Sequence, residues 1–308
     1  MPYLFIKVAV DGGVSPVFLS FVRVALAAAI LLPFAWRRGA LRGLRPKVGW
    51  LALFAVTEIV LPFPLIAFGE QHVSSSLAAI IIAALPLTIA LLAIRVDAEE
   101  RVHGVRLAGL FVGLGGVVLL FGVDVSGSAE EALGAFAILA ATVGYAVGPM
   151  VVKRHFSTGD PIGAVAVAML IAALLLAPGA ALGAPSSLPD GDVLAALAAL
   201  GVVCTALAMV LWFVLISDIG PSRASLITYI NPAVAVVLGV TILGESLTAS
   251  AVAGMLLILA GSWLSTGGRP PGGLVVLAQG RLRAWRARGS TTSSTDGRTP
   301  PTAVPMRG

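Results

Sequence analysis

The stretch SSSLAAIIIAALPLTIALLAIRVDAEERVHGVRLAGLFVGLGG, residues 74–116, recurs in altered form as GPSRASLITYINPAVAVVLGVTILGESLTASAVAGMLLILAG, residues 220–261. In each copy a proline interrupts an apolar run, an acidic residue ends it, and a glycine-spaced apolar run follows. The prolines are Pro86 and Pro232, and the acids are Glu100 and Glu245. Because the two prolines keep an offset of 146 residues, the match is a repeat and not shared composition. The chain is therefore predicted to consist of two related halves.

Composition assigns the chain to the membrane. Hydrophobic residues make up 58% of the sequence and charged residues 11%, whereas roughly a quarter of the residues in a soluble domain are charged. The net charge of +5 comes from basic residues in short connections between apolar runs and in the tail. That distribution is an orientation signal, and it argues against a nucleic-acid partner. The single cysteine, Cys204, excludes an intramolecular disulfide.

Apolar runs of about 20 residues predict nine full membrane helices. They lie near residues 17–36, 48–69, 74–95, 104–123, 132–152, 161–183, 193–216, 222–243 and 248–267. The apolar residues before Asp11 span only about half a bilayer at 1.5 Å per residue, so we expect them to be the C-terminal part of a first helix that is cut short. The fold class is thus all-α, polytopic and membrane-bound, with ten helices in two five-helix repeats. The expected domains are residues 1–123, residues 132–267 and a basic, largely disordered cytoplasmic tail at 268–308.

Lys and Arg alternate with Asp and Glu from one connection to the next. The positive-inside rule then places both termini in the cytoplasm of a multi-pass protein of the inner or plasma membrane. Because each repeat has an odd number of helices, the two copies must cross the membrane in opposite senses.

Glu58 is the one acidic residue near the centre of a predicted span. An ionisable group at that depth costs at least a few kcal/mol, so it faces a cavity, finds a partner or stays protonated. A desolvated carboxyl can exchange its proton as a cavity opens to either side, which makes Glu58 a candidate for proton coupling. The alternative is a protonated Glu58 that bonds backbone groups freed by Pro62 and Pro64.

Two prolines point to the substrate path. Pro86 and Pro232 each remove one backbone hydrogen bond inside a span, and freed carbonyls survive only in buried protein or beside water. The fourth and ninth helices are therefore predicted at a cavity. The other candidate cavity residues are Trp212, Thr228, Tyr229 and Asn231. The hydroxyls can instead bond neighbouring helices, and Trp212 can instead face lipid.

Other charged residues are interpreted as structural. Arg23 is expected to snorkel to the outer surface or to pair, with an anionic substrate as the alternative. Lys7 is expected to pair with Asp11 at helical spacing. Glu100 and Glu245 are expected to accept hydrogen bonds from the amides that begin the next helix.

Four segments resemble a known family. They are FLSFVRVALAAAILL at 18–32, FGEQHVSSSLAAIIIAALPL at 68–87, AEERVHGVRLAG at 98–109 and TALAMVLWFVLISDIGPSRASLITYINPAVAVVLGVTILGESLT at 205–248. They are similar to EamA-type carriers of the drug/metabolite transporter superfamily. The resemblance implies ten helices in two inverted repeats, a central cavity, and export or uptake of small metabolites. The aromatic that is usually Trp in the family's sixth helix is Tyr145 here, which adds Tyr145 to the cavity candidates.

The leading functional hypothesis is a secondary carrier that works by alternating access around a central cavity. Its substrate would be an amino-acid-like or other small amphiphilic metabolite, with export favoured and proton coupling left open. The alternatives are a flippase for a lipid-linked substrate and an intramembrane enzyme. The sequence holds no HExxH, no Gly-x-Ser-x-Gly and no pair of intramembrane aspartates, so an enzyme is disfavoured.

No cofactor is expected, and the three histidines share no ligand spacing that would predict a metal site. The expected partners are a small-molecule substrate and membrane lipid, and a homodimer is compatible with the sequence.

Overall fold

A computed structural model describes residues 2–96, 104–124, 128–157, 159–219, 224 and 230–265. Every regular element in these ranges is a helix. The helices are α1 (Pro2–Asp11), α2 (Pro16–Arg37), α3 (Arg45–Gly69), α4 (Ser75–Ile82), α5 (Leu85–Val96), α6 (Val105–Leu119), α7 (Ala129–His155), α8 (Pro161–Leu182), α9 (Gly191–Ile219), α10 (Ile230–Ile242) and α11 (Ala249–Ser265).

These helices confirm the predicted fold class. In the described part of the chain, six helical segments are long and apolar enough to cross a membrane, namely α2, α3, α6 with its extension to Gly122, α7, α8 and α9. The segments Ser75–Ile89, α10 and α11 are shorter but equally apolar in character. The protein is therefore an all-α, polytopic membrane protein. The span predicted at 161–183 is α8, and the span predicted at 17–36 is α2.

The helix starts follow from local sequence. Ser15, Ser74 and Ser128 precede α2, α4 and α7, and each side-chain oxygen accepts a hydrogen bond from the amide three residues later. Asp160 plays the same part before α8 by accepting from the amide of Ile162 at 2.9 Å. Such caps satisfy amides that have no partner within the helix.

Glycines show that α6 and α11 run antiparallel. A Cβ atom on Gly109 would lie 2.8 Å from the carbonyl oxygen of Gly261, and one on Gly116 would lie 2.8 Å from that of Gly254. Residue numbers thus rise along α6 while they fall along α11. Gly109 and Gly254 are equivalent in the repeat, as are Gly116 and Gly261, so the contact relates the two halves by an approximate twofold axis.

A second pair of equivalent helices, α2 and α8, repeats this arrangement. The Ser15 hydroxyl at the start of α2 donates to the carbonyl of Gly183 just after α8, at 2.8 Å. At the other end, Gly163 near the start of α8 faces the backbone of Ala40 just after α2. Equivalent helices of the two halves therefore cross the membrane in opposite senses, as an odd number of helices in each repeat requires.

Contacts between connections show that acidic connections meet at one end of the helix bundle and basic connections meet at the other. At the acidic end of the bundle, Lys7 lies 3.1 Å from Asp11 and donates to the carbonyl of Glu70 at 2.9 Å. At the basic end, Lys47 donates to the carbonyl of His155 at 2.8 Å. The pairing of Lys7 with Asp11 is the one expected from their spacing.

Pro86 interrupts its membrane segment as predicted. Helix α4 ends at Ile82 and α5 begins at Leu85, because Pro86 has no amide proton to continue the ladder. The Ser262 hydroxyl of α11 donates to the carbonyl of Ala83 in this break, at 3.5 Å. The matching break before Pro232 lies outside the described residues.

Candidate functional site

The site is organised by two turns of π-helix, one in each half of the molecule. The first covers Val56–Val60 in α3 and the second covers Val202–Leu207 in α9. Shifting the first turn by the 146-residue offset of the repeat brings it onto the second. Single π turns inside α-helices occur frequently at functional sites. Each of these two turns presents a buried polar side chain, Glu58 in the first and Thr205 in the second.

Glu58 contacts the other half of the molecule. Its side chain is 4% exposed, and its Oε1 atom accepts a hydrogen bond from the indole Nε1 of Trp212 on α9, at 3.0 Å. Its Oε2 atom is buried and has no hydrogen-bond partner among the described residues. Gly148 on α7 lies directly against this carboxyl group, and a side chain there would overlap it. Glu58 is thus held at the interface of the halves by one neutral donor.

Arg23 does not snorkel to the surface, so the snorkelling part of that expectation is wrong. The residue is 5% exposed, and its Nε donates to the Thr205 hydroxyl at 2.9 Å. The Cζ atom of its guanidinium lies 3.8 Å from the centre of the Phe63 ring on α3. The face of α2 that carries Arg23 packs on α3 and α9, so the side chain points into the bundle and not toward lipid.

Thr205 is fixed as an acceptor for Arg23. Its own hydroxyl proton goes to the carbonyl of Leu200, five residues earlier, at 2.6 Å. A π turn frees such a carbonyl from the regular helical ladder. Local backbone geometry in the second half therefore orients a cation of the first half.

Tyr145 lies on the helix that borders Glu58. It packs against two buried apolar clusters, each of which contains residues of both halves, and Gly144 and Gly148 of the same helix lie against Thr57 and Glu58 of α3. Three of the residues predicted for the cavity, Glu58, Tyr145 and Trp212, are thus brought together, with Arg23 beside them.

The remaining predicted residues are placed as follows. Pro86 and Pro232 are buried and Asn231 is half-buried, and no hydrogen bond joins Asn231 to Glu58 within the described part of the chain. Thr228 and Tyr229 lie outside the described residues. Near Pro86, the hydroxyls of Thr88 and Thr142 lie 3.3 Å apart.

Sequence reasoning missed three members of the site. Thr205 and Gly148 lie in apolar runs that a hydropathy reading treats as packing. Glu70, in the connection between α3 and α4, is fully buried with neither carboxyl oxygen hydrogen-bonded among the described residues. For Thr205 the sequence offered one indication. The 146-residue offset of the repeat aligns the turn around Glu58 with the turn around Thr205.

Glu245 forms a contact between the halves that differs from the predicted one. It was expected to accept from the start of the next helix, α11. Its Oε1 instead accepts from the Ser75 amide at 2.7 Å, and its Oε2 accepts from the Ser76 amide at 3.0 Å and from the Ser76 hydroxyl. Helix α4 begins with these amides, so Glu245 caps a helix of the other half.

Hydrogen bonding determines the charge state of Glu245. Burial alone would raise the pKa of Glu245, but the hydrogen bonds from Ser76 and Ser75 outweigh it and hold the pKa below its usual range. Gly239 provides the space for this contact, because a Cβ there would meet both the Glu245 carboxylate and the Ser76 hydroxyl. The contact joins α10 to α4 at the acidic end.

Replacing Glu245 with Gln should therefore destabilise the protein in a pH-dependent way. Losing hydrogen bonds to a charged group costs about 1–3 kcal/mol. Because the folded pKa is depressed, this contribution is complete above the unfolded pKa of about 4.3 and is lost as pH falls through the folded pKa. Thermal unfolding in detergent should show the difference at neutral pH and little difference in acid. Glu130→Gln, at an exposed position, is the control, and equal midpoints for wild type and Glu245→Gln at neutral pH would contradict the assignment.

No group of three or more His, Cys, Asp or Glu side chains that could hold a metal ion occurs within the ranges that the structure describes. The functional groups of the site are a carboxyl, a guanidinium, a phenol, an indole and a hydroxyl. Membrane helices of both halves enclose them. Such a set can hold a small polar solute inside a membrane protein.

Comparison with known proteins identifies the family. The model of the EamA-like transporter family matches residues 2–122 and 132–267, and the chain therefore belongs to that family. It is a membrane transporter of the drug/metabolite transporter type. The two matched ranges correspond to the two halves that the repeat indicates.

The chain is also similar to individual proteins. The chain is 28% identical over 255 residues to the uncharacterized inner membrane transporter YedA of Escherichia coli (strain K12), covering 80% of this chain and 79% of YedA. It is 29% identical over 263 residues to protein PagO of Salmonella typhimurium (strain LT2), covering 83% and 84%. One solved structure matches with a TM-score of 0.63 at 22% identity, over 86% of this chain and 94% of that one, a likeness that concerns the fold alone.

Proposed function

We propose that the protein is a proton-coupled secondary carrier that moves a small amphiphilic metabolite out of the cell by alternating access. The observation that carries this proposal is Glu58, a carboxyl group buried at the interface of the two inverted halves with one hydrogen bond from Trp212. The family supplies the coarser statement that the protein is a transporter.

The surroundings of Glu58 favour a neutral acid in this conformation. An ionised carboxylate inside a membrane costs several kcal/mol unless it is paired, and no cation lies within 4 Å of Glu58 in the part of the chain described. One oxygen accepts from Trp212, and the other has no partner among the described residues. Water entering the site would stabilise the ionised form, so opening to either side would let Glu58 exchange its proton.

The contacts between halves give the motion its physical basis. Trp212 of the second half holds Glu58 of the first, and Thr205 of the second half holds Arg23 of the first. Rocking of one inverted repeat against the other would alter both contacts at once. Proton release and rearrangement of the site would then occur in the same step.

The side chains around Glu58 suit an amphiphilic solute. Tyr145 and Trp212 each carry an aromatic ring with a polar tip. Carboxyl, guanidinium and hydroxyl groups lie among them. A small molecule with both an apolar part and a polar part would find partners for each.

Transport by the purified full-length chain in liposomes tests this function. A panel of amino acids, amines and other small metabolites would be offered with and without an imposed proton gradient. We expect at least one compound to accumulate when the gradient is present, and accumulation to collapse when a protonophore is added. Movement of a lipid-linked substrate alone would identify a flippase, and no movement of any compound would contradict the carrier function.

A further inference from the structure

We infer that Arg23 binds a carboxylate group of the transported molecule, which makes the substrate an organic anion or a zwitterion such as an amino acid. This inference rests on the proposed carrier function and deepens it by naming the substrate class. It stands on the geometry of Arg23 and its partners in α2, α3 and α9.

Arg23 is a buried cation without a counter-ion. It is the eighth residue of α2, so it lies about 10 Å inward from the start of that helix at 1.5 Å per residue. Lys7–Asp11 is the one ion pair in the described part of the chain, and no carboxylate therefore lies within 4 Å of the Arg23 guanidinium there. A charged side chain at such depth is costly and is normally paired or functional.

The described partners of Arg23 use only part of the hydrogen-bonding capacity of its guanidinium group. A guanidinium carries five N–H donors, and here the Nε–H donates to Thr205 while Phe63 lies against the group. Within the described residues the two terminal Nη groups donate to no side chain or carbonyl. Glu58 Oε2 is a polar atom that is fully enclosed and has no hydrogen-bond partner among the described residues. Neither Nη atom of Arg23 is fully enclosed in this way. The Nη groups therefore border the small accessible surface that Arg23 retains.

Thr205 and Phe63 hold the guanidinium in one orientation. Thr205 fixes the Nε side at 2.9 Å, and the ring of Phe63 lies against the central Cζ atom at 3.8 Å. The Nη atoms are then left free as a planar pair of donors. Two parallel N–H groups in this geometry match the two oxygens of a carboxylate, which is why Arg recognises that group bidentately.

The groups around Arg23 leave its positive charge without an ion-pair partner from the described part of the chain. Tyr145, Glu70, Tyr3 and Cys204 are the groups near enough to interact electrostatically with Arg23. Glu70 is the nearby carboxyl of the chain, yet its oxygens have no partner among the described residues and it forms no ion pair with Arg23. The charge of Arg23 therefore has no ion-pair partner among the described residues and is available to an anionic ligand.

Binding by the purified full-length protein in detergent tests the inference. The probes are leucine and phenylalanine, each compared with the amine formed by removing its carboxyl group and with the amide formed by blocking it. Thermal stabilisation would be measured for wild type, Arg23→Gln and Arg23→Lys. Lys47→Gln is the matched control, because Lys47 is likewise a cation with one hydrogen bond, to the carbonyl of His155, and its Nζ lies 5.5 Å from the centre of the Phe156 ring, but at the basic end.

The expected pattern is specific to the carboxylate. At least one amino acid should stabilise the wild type and Lys47→Gln, and its amine and amide should bind at least tenfold more weakly. Arg23→Gln should lose the preference, and Arg23→Lys should retain part of it because a cation remains. The melting temperature of each variant without ligand reports whether it folds, and if Arg23→Gln does not fold, Arg23→Lys decides through its weaker discrimination between acid and amide.

Three binding results would overturn the inference. They are the absence of binding by any carboxylate, equal binding of the amine or amide by the wild type, and unchanged discrimination in a folded Arg23 variant. Transport of amines alone in liposomes would likewise defeat the carboxylate site while the carrier function stands. Arg23-dependent binding without transport would defeat the carrier function while the binding site stands.

Discussion

Replacing Glu58 with Gln should abolish gradient-driven accumulation of substrate and leave exchange of substrate across the membrane intact. Gln keeps the size of Glu and can still accept the hydrogen bond from Trp212, but it cannot carry the exchangeable proton. One-for-one coupling to protons permits about a tenfold accumulation for each unit of pH gradient, and the variant should show none. The measurement is uptake into liposomes with an imposed pH gradient, followed by counterflow with labelled substrate.

The matched control is Glu130→Gln, which removes an exposed carboxyl at the start of α7. It should accumulate substrate as the wild type does. If Glu58→Gln also accumulates substrate with wild-type dependence on pH, Glu58 does not couple to protons. The packing interpretation, in which Glu58 satisfies a broken helix, would then hold, and attention would pass to Tyr229 and Asn231.

Replacing Gly148 with Ala should damage both stability and transport. A Cβ at this position would overlap the Glu58 carboxyl group, and it would also lie 3.1 Å from the Cβ of Glu58. Overpacking of this kind costs typically about 1–3 kcal/mol, and relief requires the carboxyl to leave Trp212. We expect a melting temperature several degrees below the wild type and a loss of accumulation.

Gly115→Ala provides the control for a new methyl group on a membrane helix. A Cβ on Gly115 would meet nothing within 4 Å, so that variant should be as stable as the wild type or slightly more stable. A double variant tests the mechanism, because Glu58→Ala removes the group that the methyl displaces. Gly148→Ala should therefore cost less when it is combined with Glu58→Ala than in the wild type, and equal cost in both backgrounds would show that Glu58 is not the clashing group.

The helices and their inversion could be predicted because they depend on local pattern and parity. Runs of apolar residues define the spans, and the break before Leu85 follows from the missing amide of Pro86. An odd number of helices in each repeat implies the antiparallel crossing that Gly109 and Gly116 show with α11. Glu58 could be selected from the sequence, because a carboxyl group in the centre of an apolar run costs free energy whichever helices pack around it.

The rest of the site depends on which faces of the helices meet. Arg23 is close enough to the end of α2 to snorkel, and only its packing against Phe63 and Thr205 shows that it turns inward. The π turns have no signature in hydropathy, and they decide which side chains reach the interface. Glu245 was assigned to the neighbouring helix in sequence, whereas inversion of the repeat brings α4 of the other half to it.

Simultaneous measurement of proton and substrate movement tests the central claim, that Glu58 carries a proton between the two sides as the inverted halves alternate. A pH-sensitive dye inside the liposomes would follow protons, and a labelled substrate would follow transport, with the membrane potential held at zero. Proton flux in the wild type should require substrate and move opposite to it, and in Glu58→Gln substrate should exchange with no proton movement. Substrate-dependent proton flux of wild-type size in Glu58→Gln would contradict the account.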